Sequence, residues 1–281
     1  MNRWILSWAA ITAALTLAGC VSSAPRLTAQ QEAAIEYNQR GEAAFRQGDF
    51  ALARDEYQKS LAIHRSVENQ EGVAREIMNL SLMSRRLGNS SDAYAALDQI
   101  LSGSGLPFDD KLRAEAAYRK ASFYLDDADE AKARIWAGKA LDLCRGCPAE
   151  GRIYNLQARM ALLARPAESM QLARRALALN RSIGNKLEEA NSQRLIADAA
   201  FQAGDYTSAQ AAYDAALQLD KETGAAEKIA LDLMGLGRVL ARQGKRKEAR
   251  EYFQRAYFVS EGAGDARAME AATAEIKKLI P

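Results

Sequence analysis

Histidine occurs once, at His64, and cysteine only three times, which disfavours a His-based catalytic triad or a zinc cage. Proline is scarce too, at five positions, and runs of β-branched residues are almost absent. With few breakers and few strand formers, long helices are unopposed, and Ala and Leu dominate the apolar set. The 38 Lys and Arg nearly cancel the 36 Asp and Glu, so there is no strongly basic character to suit a nucleic-acid partner. No glycine-rich phosphate loop, metal-ligand spacing or nucleophile constellation is found. These absences predict a binding protein that needs no metal or cofactor and is not an enzyme. Hydrophobic residues make up 48% of the chain, enough for a large core.

The first residues differ from the rest. Arg3 supplies positive charge, Trp4 to Leu17 form a mostly apolar run, and small residues lead into Cys20. The run is short of the roughly 18–20 residues a spanning helix needs, so residues 1–19 read as a secretory leader. Leu17-Ala18-Gly19-Cys20 resembles the bacterial lipobox. The resemblance implies acylation of Cys20 as the mature N-terminus, with a lipid of several chains that gives stable anchorage. Val21 and Ser22 follow, with no Asp at 21, which implies the outer membrane and a body facing the periplasm in a two-membrane bacterium. Residues 20–28, with Pro25, form a short tether.

From about Thr28 onward the chain repeats itself. Gly48-Asp49-Phe50 is followed by Ala53, Tyr57 and Leu61, and Gly204-Asp205-Tyr206 by Ala209, Tyr213, Ala216 and Leu217. Other copies read Gly244, Ala249, Phe253, Ala256 and Gly88, Ala93, Leu97, Ile100, with weaker ones from Ala128 and Ala164. The turn positions 48, 88, 128, 164, 204 and 244 lie 40, 40, 36, 40 and 40 residues apart. Each unit makes sense as a helical hairpin. Apolar residues at helical spacing precede the turn, glycine ends that helix in a left-handed conformation, and a small residue such as Ala53 or Ala249 lets the second helix approach closely.

These residues resemble the tetratricopeptide repeat, which has Gly or Ala at its eighth position and Ala at its twentieth and twenty-seventh. Gly41, Ala121, Ala197 and Gly237 fit the first of these slots, while Ser81 and Gln157 depart from it. Pro166 and Ser169 make the fourth repeat the most divergent. The interval exceeds the family's usual length of about 34 residues and is similar to the longer repeat of kinesin light chains. The resemblance implies an all-α fold over residues 29–281, a right-handed superhelical α-solenoid of about six hairpins. They are expected at 34–67, 74–107, 114–147, 150–183, 190–223 and 230–263, with a capping helix at 266–280.

In that family the first helices line a concave groove. Its groove slots map here to Asn38, Phe45, Arg75, Met78, Arg85, Arg86, Tyr118, Tyr154, Asn191, Arg194, Phe201, Met234, Arg238 and Arg242. Apolar anchors ringed by arginine suit a protein or peptide segment as partner. On this reading, reversing the charge of Arg85 and Arg86 removes binding without changing stability. Cys144 and Cys147 read as a disulfide staple in the shortened linker; free thiols or a redox motif are the alternatives, although the pair follows a helix end. His64 is expected in a surface or capping role. The overall plan is similar to tetratricopeptide lipoproteins that assist pilus secretins or recruit cell-wall hydrolases, which implies a membrane-anchored scaffold. An accessory of polysaccharide export and a periplasmic thiol–disulfide protein are the rival readings.

Overall fold

The computed structural model describes residues 27–102 and 106–279. The leader, Cys20 and most of the tether lie outside the described residues. Within them are thirteen α-helices and no strand. Six hairpins form in chain order: α1 (Ala29–Arg46) with α2 (Phe50–Ser66), α3 (Gln70–Arg86) with α4 (Ser90–Ser102), and α5 (Asp110–Asp126) with α6 (Glu130–Leu143). Then come α7 (Glu150–Ala161) with α8 (Pro166–Ser182), α9 (Lys186–Gln202) with α10 (Tyr206–Thr223), and α11 (Ala226–Arg242) with α12 (Arg246–Gly262). A last helix, α13 (Ala266–Lys278), lays Ile276 and the following Leu279 against the core of the sixth hairpin. No described helix is long and apolar enough to cross a membrane.

Five of the six hairpin turns share one geometry. Residues 48, 88, 128, 204 and 244 all take positive φ, and glycine holds four of the five positions. Ala128 adopts φ 60° at the fifth, a conformation that side-chain-bearing residues take at some cost. The next N–H donates to a carbonyl five residues back, as from Asp49 to Ala44 and from Asp205 to Ala200, both at 3.0 Å. Asp49, Asp129 and Asp205 then cap the second helix through their side chains, each accepting from a backbone N–H of its first turn.

The α7–α8 turn is different. Arg165 N–H donates to the Ala161 carbonyl only four residues back, at 2.8 Å, and no residue there is left-handed. The turn is therefore one residue shorter, and every position on α7 shifts by one relative to the other first helices.

Packing within hairpins follows from the small residues. Ala53, Ala93, Ala133, Ala209 and Ala249 are fully buried, as is Ser169 in the divergent fourth unit. Where the neighbour is an aromatic ring, even a methyl group is too much: a Cβ on Gly237 would sit 2.5 Å from the Phe253 ring. First helices of successive hairpins touch one another, α3 with α5 and so on to α9 with α11, whereas second helices do so far less. The stack therefore bends towards its first helices, whose free faces form the inner wall.

Candidate binding groove

A cavity of about 400 Å³ opens on that inner wall, lined by first helices α5, α7, α9 and α11 and by Leu162 just past the end of α7. Of the fourteen groove residues expected from the repeat pattern, it contains Tyr118, Asn191 and Arg194. Its apolar floor comes from Leu156, Leu162, Leu195 and Leu231, the last about half exposed. Glu188 and Asp198 also face it but have partners: Asn155 Nδ2 donates to Glu188 Oε2 at 2.9 Å, and Tyr213 donates to Asp198. Arg159 pairs with Asp126 at 3.0 Å. Lys228 is the exception. Its ammonium has no hydrogen bond or ion pair among the described residues, and burial, helped by nearby Arg194, pulls its pKa down. An unpaired, partly desolvated cation beside a leucine-lined floor favours an incoming carboxylate.

Several expected groove residues lie elsewhere. Asn38 is buried in the seam between the first two hairpins, where its amide donates to both oxygens of Glu76 at 2.9 and 3.1 Å. Ser60 donates to the same carboxylate, and His64, expected in a surface or capping role, is 3% exposed between Arg75 and Asn69, the N-cap of α3. Met78 is buried in the core between hairpins two and three. Tyr154 is buried beneath the Arg175 guanidinium, 4.3 Å from its ring centre. The short turn after α7 is the reason: the slot belongs to Asn155, which bridges to α9 just as Asn38 bridges to α3. Met234 is half-buried against the core.

The arginines mostly tie neighbouring repeats together. Arg85 forks onto Asp127, with bonds of 2.9 and 2.7 Å, and lies 4.7 Å from the Phe123 ring centre. The hydrogen bonds from Arg85 hold the Asp127 carboxyl below its usual range. Arg86 stands over Phe45 and Phe50, and Arg242 over Phe201. Arg75 reaches Glu76 at 3.3 Å, and Arg238 donates to the Met234 carbonyl. Reversing Arg85 and Arg86 would thus break cross-repeat contacts, and the expectation of unchanged stability does not hold.

A buried charged cluster lies behind the cavity. Arg194 donates to Asp232 Oδ1 at 2.7 Å and to Asp220 Oδ2, and both carboxylates are fully inaccessible. One guanidinium cannot neutralise two desolvated carboxylates. Burial, with Asp220 as neighbour, pushes the Asp232 carboxyl up to about 7. Asp220 Oδ1 has no donor among the protein groups, and a proton on Asp232 would supply one.

Cys144 and Cys147 are joined by a disulfide, with Cα atoms 5.0 Å apart, in the linker between α6 and α7.

Residues 188–259 match the tetratricopeptide repeat family. That stretch, running from α9 into α12, carries the tetratricopeptide repeat in its sequence. No curated protein matches its sequence. Among solved structures, the solenoid is similar to the signal-transduction ATPase with a tetratricopeptide repeat sensor from Pyrococcus horikoshii, with 16% identity and a TM-score of 0.65. That likeness covers 88% of this chain but 38% of the ATPase. It is also similar to the Rap protein complexed with Competence and Sporulation Factor, at 18% identity and TM-score 0.60, covering 89% of this chain and 71% of that one. A third is PilW, a type IV pilus biogenesis factor, at 17% identity and TM-score 0.54, covering 74% and 99%. At such identities the likeness is one of fold. The tetratricopeptide frame also explains the groove residues that pattern matching missed. Helices α9 and α11 begin four residues ahead of the expected repeats, so Glu188 and Lys228 fall outside the frame although they line the cavity.

Proposed function

We propose that this chain is a non-enzymatic scaffold, anchored by acylated Cys20 to the outer membrane and facing the periplasm, whose inner wall holds a segment of a partner protein. The carrying observation is the open cavity in which unpaired Lys228 stands beside exposed Leu231. That pairing suits a segment presenting a carboxylate next to an apolar side chain. The fold likeness to a pilus biogenesis factor, and to a protein complexed with Competence and Sporulation Factor, supports a role in assembling an envelope complex through protein contacts.

The expected result of Lys228→Glu combined with Leu231→Asp is at least a tenfold loss of the partner retained on the protein when it is isolated from crosslinked envelopes. Both positions are on the cavity wall and outside the core, so helicity stays the same. Undiminished retention would contradict the cavity as the binding site. In the same envelopes, Cys20→Ser is expected to move the protein from the membrane to the soluble fraction, and continued sedimentation with membranes would contradict the anchor.

A further inference from the structure

The groove does not explain why the repeat interval shrinks between the third and fourth hairpins, or why that linker carries Cys144 and Cys147. Helices α6 and α7 touch each other less than any other consecutive pair. Two clusters cross the junction: Ile153 packs among Ala114, Ala117, Ala140 and Cys144 with Trp136 at the edge, and Leu156 and Met160 of α7 pack against Ala121, Ala133 and Ala137. Two ion pairs also cross it, Arg152 with Glu115 and Arg159 with Asp126, but all four side chains keep a quarter to a half of their surface in water. Such pairs contribute at most about 1 kcal/mol each. The angle between the first three hairpins and the last three therefore rests on those two clusters and on the linker itself.

The covalent bond sits where that angle is set. Cys144 is the C-cap of α6, its N–H donating to the Ala140 carbonyl at 3.0 Å. The Cys147 carbonyl accepts from the N–H of Glu150, the first residue of α7, also at 3.0 Å. Between them Gly146 takes φ 73° and donates its N–H to Glu150 Oε2 at 3.1 Å. The disulfide thus joins the end of one half to the beginning of the other. The cavity straddles the same junction, with Tyr118 and Ser122 on α5 before it and the remaining wall on α7, α9 and α11 after it.

We propose that the Cys144–Cys147 disulfide sets the angle between the two halves of the solenoid, so that the width of the groove depends on redox state. The proposal rests on reading the cavity as the partner site. The reductant is a dithiol of the thiol–disulfide oxidoreductase class. Cys144 is fully buried and Cys147 only partly, so the incoming thiolate attacks Cys147 Sγ and expels Cys144 as a thiolate, which takes up a proton. The second thiol of the reductant then resolves the mixed disulfide and releases Cys147. In sum, two electrons and two protons pass to this chain, and the dithiol becomes a disulfide.

The test is single-molecule energy transfer on the full chain in detergent, with dyes on bioorthogonal residues replacing Arg54 of α2 and Arg250 of α12. Dithiothreitol is expected to shift and broaden the efficiency distribution of the wild type. A Cys144→Ser/Cys147→Ser variant is expected to give the reduced distribution with or without dithiothreitol, at unchanged helicity. Identical distributions for oxidised, reduced and variant protein would overturn the proposal. No partner enters that measurement, so its failure leaves the binding reading standing. Conversely, undiminished partner retention by the Lys228 and Leu231 variant would remove the binding reading without touching the distances.

Discussion

Replacing Arg194 by leucine is expected to destabilise the chain by roughly 3–5 kcal/mol near neutral pH, as removal of one partner from a buried ion cluster does. Among the described residues the guanidinium is the one cation bonded to Asp220 and Asp232, both fully inaccessible, and without it two buried carboxylates lose their paired charge. Acid is expected to rescue the variant. A carboxyl whose folded pKa lies above its unfolded value makes the folded chain the tighter proton binder between those two values, so stability falls as pH rises through that window. In the wild type, Asp232 is raised from 3.8 to about 7, giving a moderate decline over that range. Losing Arg194 raises the Asp232 carboxyl further, and the decline extends to higher pH. Urea melts at several pH values check this. A loss below about 0.5 kcal/mol, typical of a surface residue, or one independent of pH, would show that Arg194 is free to serve the groove instead.

Phe253→Ala is expected to cost roughly 3–5 kcal/mol, the usual range for emptying a buried aromatic site. The ring is 1% exposed and packed so closely over Gly237 that neighbouring atoms cannot readily fill the void. Its location makes the result diagnostic. Each hairpin in a solenoid leans only on its neighbours, so the loss is felt locally. Hydrogen exchange is expected to accelerate in α11, α12 and α13, with α1 to α5 unchanged. Acceleration spread evenly over all helices would mean one shared core rather than a stack of units.

The hairpins were legible because their signals are local. A left-handed residue marks five turns, glycine at four of them and an aspartate cap after three, and even Ala128 holds the position that the periodicity assigned to it. The groove was harder to read because polarity does not reveal register. Asn38 and Arg194 are polar residues on inner-wall helices, yet their partners Glu76 and Asp232 lie 38 residues on, at the seam of the next hairpin. A polar residue with a polar counterpart one repeat away is a bridge, and that pairing was visible in the sequence. The shift at Tyr154 was not visible, because it arises from a one-residue deletion in a turn where Ala164 occupies the glycine position without adopting its conformation. Lys228 was missed because the repeat frame opens after the first turn of α11.

Photocrosslinking in intact envelopes tests most directly whether the inner wall holds a partner. A benzophenone side chain placed at Leu231 or Leu195 is expected to give discrete adducts with one protein, while the same group at exposed Arg174 of α8 gives none. Adducts of equal yield from Arg174, or none from either leucine position, would contradict it.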